Sequence, residues 1–98
     1  MRATVELHPD FVWFLKKRCT DAERKAFYNR LEEVRRQPIE NSEPIRDVRL
    51  SRYMLRFFRF AEFMAVFKFD LAKNRIRVYE CRKITPSRLS SKNPPGKP

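Results

Sequence analysis

The sequence predicts an α+β domain: an N-terminal strand, a helical hairpin, then an antiparallel three-strand meander with both helices on one face of the sheet. Residues 9–36 place apolar side chains at helical spacing, whereas residues 53–81 are rich in phenylalanine and alternate as strands do. The 98 residues contain enough apolar material for one core. We therefore expect a single domain over residues 1–86 and a flexible basic tail over residues 87–98.

The first strand and the first helix are predicted from local signals. Residues 2–7 alternate between polar and apolar side chains, which is typical of a short strand. Pro9 and Asp10 suit the first turn of a helix, where a missing N–H and a negative charge are tolerated or favourable. Three cations follow at residues 16–18, where the helix dipole favours positive charge.

The second helix begins at a capping box formed by Thr20 and Glu23. Its apolar positions recur at helical spacing as far as Val34, and the helix should run to about Arg36 before Pro38 ends it. Residues 39–51 carry mixed charges and a proline, so they are interpreted as a loop that leads to the sheet, with at most one extended piece around residues 48–50.

Three further strands are predicted over residues 53–60, 63–69 and 75–81, joined by short turns. In the middle strand the phenylalanines share one side, which should meet the helices. In the last strand Arg75, Arg77 and Tyr79 share the side opposite to the apolar residues. Arg56 and Arg59 are three positions apart and therefore fall on opposite faces unless a bulge intervenes.

The charge balance is strongly positive. Lys and Arg number 23 against 12 for Asp and Glu, which gives a formal net charge of +11. Such a field favours a polyanion or an acidic protein as the partner. Cys19 and Cys81 stand in no metal-binding spacing and are interpreted as free thiols of a reducing compartment, so we expect no disulfide, no metal and no cofactor. No apolar run is long enough for a signal peptide or a membrane span, so the cytoplasm is expected and no membrane partner.

The order of elements, together with the block LRFFRFAEFMAVFKFD followed by IRVYECRK, resembles the RelE/ParE superfamily of toxins from bacterial type II toxin-antitoxin modules. For RelE-type members the resemblance implies an mRNA endonuclease that acts in the ribosomal decoding site. Arginines and lysines would hold the scissile phosphate, and a tyrosine or histidine near the C-terminus would assist proton transfer. Met64 stands where the family has an arginine, and no Tyr or His follows Lys83.

Candidate site residues follow from this resemblance and from the basic strands. The predicted catalytic residues are Arg56, Arg82 and Tyr79, and the predicted nucleic-acid-binding residues are Arg59, Arg75, Arg77 and Lys83. The same arginines and lysine would also suit an ordinary solvated sheet face, and Tyr79 would suit a half-buried strand position. Glu80 is interpreted as a salt-bridge partner, because neighbouring arginines lower the pKa of a carboxyl group and make it a weak base.

Two functions remain open on the sequence. The first is a metal-independent endoribonuclease of RelE type, which acts on ribosome-bound mRNA and is neutralised by a cognate antitoxin. The alternative is a protein without catalysis, either a ParE-like toxin that acts on DNA gyrase or a basic module that binds nucleic acid or protein. Arginines between aromatics favour the first, whereas Met64 and the missing terminal Tyr or His favour the second.

Overall fold

The structure is a computed structural model that describes residues 1–45 and 53–84, with Tyr53 described by its backbone alone. Two helices and five strands follow one another along the chain. They are β1 (Thr4–Leu7), α1 (Pro9–Arg18), α2 (Asp21–Arg36), β2 (Glu43–Pro44), β3 (Tyr53–Phe60), β4 (Phe63–Asp70) and β5 (Arg75–Lys83). Neither helix within the described residues is long and apolar enough to cross a membrane.

The strands form one sheet in the order β1-β5-β4-β3-β2. β3 pairs antiparallel with β4, and β4 pairs antiparallel with β5, which confirms the predicted meander. β1 adds to it in parallel with β5, and β2 adds antiparallel to β3 at the other edge. The sequence did not predict β2, which lies inside the predicted loop; Pro44 is tolerated there because an edge strand has one unpaired side. Residues 48–50 lie outside the described part of the chain.

Both helices begin as their sequence signals predict. At α1 the Nδ1 atom of His8 accepts a hydrogen bond from the Asp10 amide at 3.0 Å. At α2 the Thr20 hydroxyl accepts from the Glu23 amide at 3.1 Å, and the Glu23 carboxylate accepts from the Thr20 amide at 2.8 Å. These contacts satisfy amides that the first helical turn leaves without a partner.

The two helices pack on the same face of the sheet, as predicted, and share one core with it. Phe27 of α2 lies at its centre, with ring centroids 4.9 Å from Phe11, 5.8 Å from Phe58 and 5.2 Å from Phe60. We call this face of the sheet the helix-facing side. Its buried strand residues are Phe58, Phe60, Ala65, Phe67, Phe69, Ile76 and Val78.

The opposite face, which we call the open side, is formed by the alternate positions of the same strands. Its members on the three central strands are Leu55, Phe57, Arg59, Met64, Val66, Lys68, Asp70, Arg75, Arg77, Glu80 and Arg82. Arginine and lysine are therefore concentrated on the face that the helices leave uncovered.

A bulge interrupts the pairing of β4 with β5, and none interrupts β3. Val66 pairs with Glu80 while Phe67 pairs with Val78, so Tyr79 is the extra residue. The register of β3 with β4 runs without a break through all eight pairs. Arg56 and Arg59 therefore lie on opposite sides of the sheet, as simple alternation requires.

Candidate nucleic-acid interface

Two arginines flank a methionine in a row across the open side. Arg59 pairs with Met64 in the β3–β4 ladder, and Met64 pairs with Arg82 in the β4–β5 ladder. Because neighbouring strands are about 4.8 Å apart, the Cα atoms of the two arginines are separated by about 10 Å. Arginine side chains are long enough to converge from that distance on one phosphate, which a guanidinium group binds with paired hydrogen bonds.

The Arg59 side chain is exposed, and its backbone is hydrogen-bonded to helix α2. Its guanidinium carbon lies 5.9 Å from the ring centroid of Phe57, two positions earlier on the same side. Its main-chain carbonyl accepts a hydrogen bond from Nε of Arg30 in α2 at 3.2 Å. It forms no ion pair with a carboxylate of residues 1–45 or 53–84. Its positive charge is thus available to an anion.

Arg82 shares its charge with a neighbouring carboxylate. Its Nε atom donates to Glu80 at 2.6 Å, and this hydrogen bond, followed by the Coulombic attraction of the same group, raises the pKa of Arg82. The sequence predicted this salt bridge for Glu80. Both side chains are about half exposed, 55% for Arg82 and 42% for Glu80, and exposed pairs of this kind contribute roughly 0–1 kcal/mol. A phosphate can therefore replace the carboxylate at little cost.

Tyr79 occupies the bulge next to this row. Burial raises the pKa of its phenol, and the nearby Glu80 raises it further, while Arg82 opposes them. Nζ of Lys68 lies 5.7 Å from the centre of the tyrosine ring, which places that ring toward the open side. A phenol with a raised pKa stays protonated near neutral pH, so Tyr79 is not available as a base and can give its proton only to a strongly basic acceptor such as an alkoxide.

The other predicted cations of the open side lie at its far end. Arg75 pairs with Asp70 in the ladder, and Arg77 pairs with Lys68. Arg77 donates from Nε and Nη2 to one oxygen of Glu6, at 3.2 and 3.1 Å. The structure therefore brings Arg59, Arg82 and Tyr79 to one end of the open side and leaves Arg75 and Arg77 at the other.

Two predicted residues lie on the helix-facing side, away from this cluster. The Arg56 side chain is 8% exposed and donates to Ser42 Oγ at 2.5 Å, to the Ile39 carbonyl at 3.0 Å and to the Ser42 carbonyl at 2.9 Å. Burial lowers its pKa, and Glu40 opposes that shift. Lys83, at the end of β5, pairs with Phe63 on this same side. Their predicted contact with phosphate stays a prediction, and the geometry gives Arg56 a structural role in holding the 39–42 segment.

Sequence reasoning missed three residues on or beside the open side. Phe57 is half-buried in the row next to Arg59, while Lys68 and Lys73 lie beside Arg75 and Arg77. The signal for Phe57 and Lys68 was strand alternation, since each shares its parity with a residue already placed outside. Lys73 gave no such signal, because its position depends on how the β4–β5 turn folds.

A groove on the helix-facing side lies between α1 and the end of β5. It has a volume of about 510 Å³ and is lined by Trp13, Phe14, Arg18, Phe63, Cys81 and Lys83. Trp13 is 53% exposed, with the Arg18 guanidinium 5.7 Å from its ring. Burial raises the pKa of the Cys81 thiol to about 12, with smaller contributions from Cys19 and Glu80, so this cysteine is a poor nucleophile at neutral pH.

No group of three or more His, Cys, Asp or Glu side chains within residues 1–45 and 53–84 is arranged to hold a metal ion.

Comparison with protein-family models found no match, and neither did comparison with curated proteins. The chain is similar in structure to a chain of the archaeal RelE–RelB complex from Pyrococcus horikoshii OT3, with a TM-score of 0.72. The alignment covers 85% of this chain and 96% of the other, at 15% sequence identity.

The molecule is thus an α+β protein with a cationic sheet face. Its fold is RelE-like, as the resemblance in the sequence implied.

Proposed function

We propose that this chain is the toxin of a toxin-antitoxin pair and that its open side binds and cleaves RNA. The observation that carries the proposal is the Arg59–Met64–Arg82 row on the uncovered face of a RelE-like sheet. The net charge of +11 supports it, because a strongly positive protein attracts a polyanion over long distances. The similar chain comes from a RelE–RelB complex, which supports a partner antitoxin for this protein.

In this proposal Arg59 and Arg82 grip the scissile phosphate. The RNA 2′-hydroxyl attacks phosphorus in line, its proton passes to solvent water at the exposed face, and the bond from phosphorus to the 5′-oxygen breaks. Tyr79 gives its proton to the departing 5′-oxygen, so the products are a 2′,3′-cyclic phosphate and a 5′-hydroxyl end. The two guanidinium groups stabilise the charge that accumulates on the phosphorane oxygens, which supplies most of the rate enhancement.

The aromatic side chains near the arginines suit a single strand. Phe57 lies one row from Arg59, and Tyr79 lies beside Glu80 of that same row. Unpaired bases stack on such rings at roughly 1–3 kcal/mol per base, whatever their sequence. The open side therefore combines cations for the phosphates with rings for the bases, which favours single-stranded mRNA as the substrate.

A second candidate function is binding without cleavage, as in a toxin that blocks its target by occupancy. Met64 favours it, because this uncharged side chain lies between the two arginines and contributes no charge to a phosphate clamp. DNA gyrase is the target that the ParE-like alternative implies. The two candidates share the open side and differ in whether RNA is cut.

The test is to induce the protein in bacteria, follow growth and map mRNA 5′ ends. We expect wild type to arrest growth and to generate new 5′ ends, whereas Arg59→Ala with Arg82→Ala should do neither. The matched control removes two exposed cations from α2, Lys25→Ala with Arg36→Ala, and should behave as wild type. Growth arrest by the Arg59/Arg82 double variant at the wild-type level would contradict the proposal.

Growth arrest without new mRNA ends, together with inhibition of gyrase supercoiling by purified protein, would favour the second candidate. Dependence on the ribosome is tested separately, by incubating purified protein with mRNA in the presence and absence of ribosomes. We expect the protein to cut mRNA only when ribosomes are present. A solvent-exposed face with no dedicated base gains from a ribosome that orients the 2′-hydroxyl. Co-expression of an adjacent small acidic protein should restore growth if it is the antitoxin.

A further inference from the structure

A recess of about 140 Å³ lies at the end of the open side that is far from Arg59 and Arg82. It is lined by Lys68, Asp70, Lys73, Arg75 and Arg77, which are four cations and one carboxylate. A water molecule takes roughly 30 Å³ of liquid volume, so the recess has room for a phosphate group. The mechanism proposed above does not use this recess.

The charge of the recess is only partly balanced. Arg77 is paired with Glu6 at its rim. Neither Lys73 nor Arg75 forms an ion pair with a carboxylate of the described residues, and both are exposed. Asp70 is 6% exposed, so its carboxylate is far less accessible to a ligand than the exposed side chains of Lys73 and Arg75. An anion that enters the recess therefore meets positive side chains first.

The walls of the recess are held by the turn between β4 and β5. Oδ1 of Asp70 accepts a hydrogen bond from the Lys73 amide at 3.3 Å, which fixes the turn locally. The Asn74 carbonyl accepts from the Thr4 amide at 3.1 Å, which ties the turn to β1. Asn74 has φ of 52°, in the left-handed region that asparagine tolerates well. The backbone that carries Lys73 and Arg75 is thus positioned before any ligand arrives.

We propose that this recess is a second phosphate site, which holds the backbone of the same RNA strand away from the scissile phosphate. The inference rests on the proposed function and deepens it. On β4, Met64 lies in the row of Arg59 and Arg82, and Lys68 lies in the row of Arg77. These two positions are four residues apart, which is about 13 Å along a β-strand, so one extended RNA strand can reach both rows. Tyr79 lies between the rows, where a base of that strand can stack on its ring.

The recess favours RNA over an acidic protein segment because of where it lies. It opens on the same side of the sheet as the Arg59–Arg82 row and continues it along the strands. A regular polyanion carries a charge at every nucleotide, so it can occupy both cationic sites with one strand, and the second contact strengthens the first. RNA is accordingly the ligand to which the proposal commits.

The experiment measures binding of a fluorescent 12-nucleotide oligouridylate to the purified full chain over a range of salt concentrations. The test variant is Lys73→Ala with Arg75→Ala, and the matched control is Lys16→Ala with Lys17→Ala, which removes the same charge from the exposed end of α1. We expect the test variant to bind several-fold more weakly and to lower the slope of log affinity against log salt by roughly 0.7–1 per lost phosphate contact. The control should keep the wild-type slope.

Several outcomes would overturn the second site. An equal loss in the test and control variants would show a general charge effect. Weaker binding of inorganic phosphate by the test variant, with the oligouridylate unaffected, would show a site for the free ion. Weaker binding of the antitoxin, with the oligouridylate again unaffected, would show a protein contact. Thermal unfolding of each variant checks that it is folded, which the exposure of Lys73 and Arg75 leads us to expect.

The failure of this inference can be told from the failure of the proposed function. If Arg59→Ala with Arg82→Ala leaves mRNA cleavage intact while Lys73→Ala with Arg75→Ala weakens oligouridylate binding, the second site stands and the cleavage site is wrong. If the first pair abolishes cleavage and the second pair leaves the affinity and the salt slope unchanged, the cleavage site stands and the second site is wrong.

Discussion

Arg56 and Arg59 are three positions apart on one strand and belong to two different regions of the molecule. Arg56 lies under the 39–42 segment with its donors occupied by Ser42 and the Ile39 carbonyl. Arg59 lies on the open side, with an aromatic ring beside it and no carboxylate partner among the described residues. The same chemical group therefore serves structure on one face of the sheet and is free for function on the other.

This comparison shows how one strand can carry both a core and a binding surface. The helix-facing side tolerates a charge only where hydrogen bonds replace the lost water, as they do for Arg56. The open side leaves its charges in water, where they remain attractive to a ligand. Substitutions matched in type and placed on the two sides should consequently differ in whether they affect stability or binding.

The largest expected difference concerns two adjacent phenylalanines of β3. Phe58→Ala should cost about 3–5 kcal/mol of unfolding free energy, because the ring is 1% exposed and packs against Phe27. Phe57→Ala, on the open side, should cost about 1 kcal/mol or less and should instead weaken binding of single-stranded RNA. Urea unfolding and oligouridylate binding measure the two effects. A similar loss of stability in both variants would show that the Phe57 ring packs into a core and is not available to a ligand.

The same substitution at Arg56 and Arg59 gives the next largest difference. Arg56→Met should destabilise the fold by about 2–3 kcal/mol, since it leaves the Ile39 and Ser42 carbonyls without their donors. Arg59→Met should change stability by no more than about 0.5 kcal/mol. Thermal and urea unfolding of both variants provide the measurement. If Arg56→Met unfolds like wild type but abolishes RNA cleavage, Arg56 belongs to the site after all, as the sequence predicted.

Local signals predicted much of this fold, and long-range contacts explain what they missed. The Thr20 capping box and strand alternation depend on neighbouring residues, so they could be recognised directly. The parallel pairing of β1 with β5 joins residues about 70 positions apart, and no local pattern specifies such a contact. The bulge at Tyr79 likewise depends on how β5 fits β4, because either regular or bulged pairing suits the sequence of that strand.

The candidate site was harder to predict than the fold, although part of its signal was present. Arg56 shares its parity along β3 with Phe58 and Phe60, so alternation alone assigns it to the side that meets the helices. Family resemblance favoured the opposite interpretation, because it attaches function to arginines of that strand without fixing their side. The pairing of Arg82 with Glu80 was predictable from their spacing of two on one strand, since both side chains then share a face.

A smaller effect on stability, confined to alkaline pH, is expected from the half-buried thiol of Cys81 on the helix-facing side. Its folded pKa of about 12 lies above the value of about 8.5 expected in the unfolded chain. The stability gained from the buried neutral thiol is therefore fully present below about pH 8.5 and is lost as the pH rises toward 12. The difference in unfolding free energy between wild type and Cys81→Ala should stay constant from pH 7 to about 8.5. At pH 10 wild type should have lost stability relative to Cys81→Ala. A difference unchanged at pH 10 would mean that water reaches the thiol.

The smallest expected effect concerns the β3–β4 turn, which fixes the register of these two strands and so decides which β3 residues lie on each side of the sheet. Phe60 pairs with Phe63 across the two-residue turn Ala61-Glu62, and a slip of one residue there would exchange the sides of every β3 residue. Ala61 has φ of 51°, a left-handed conformation that costs an alanine roughly 1–2 kcal/mol. Ala61→Gly should therefore stabilise the fold by about 0.5–1 kcal/mol, after the extra flexibility of glycine in the unfolded chain is subtracted.

Glu62→Gly is the matched control, because its φ is not positive and glycine there adds flexibility without relieving strain. Urea unfolding should show Ala61→Gly above wild type and Glu62→Gly at or below it. Asn74 in the β4–β5 turn needs no such relief, since asparagine adopts the left-handed region more readily than alanine does. If Ala61→Gly were no more stable than wild type, the β3–β4 turn would not be a strained point of this fold, and the separation of Phe58 from Arg59 would depend on core packing alone.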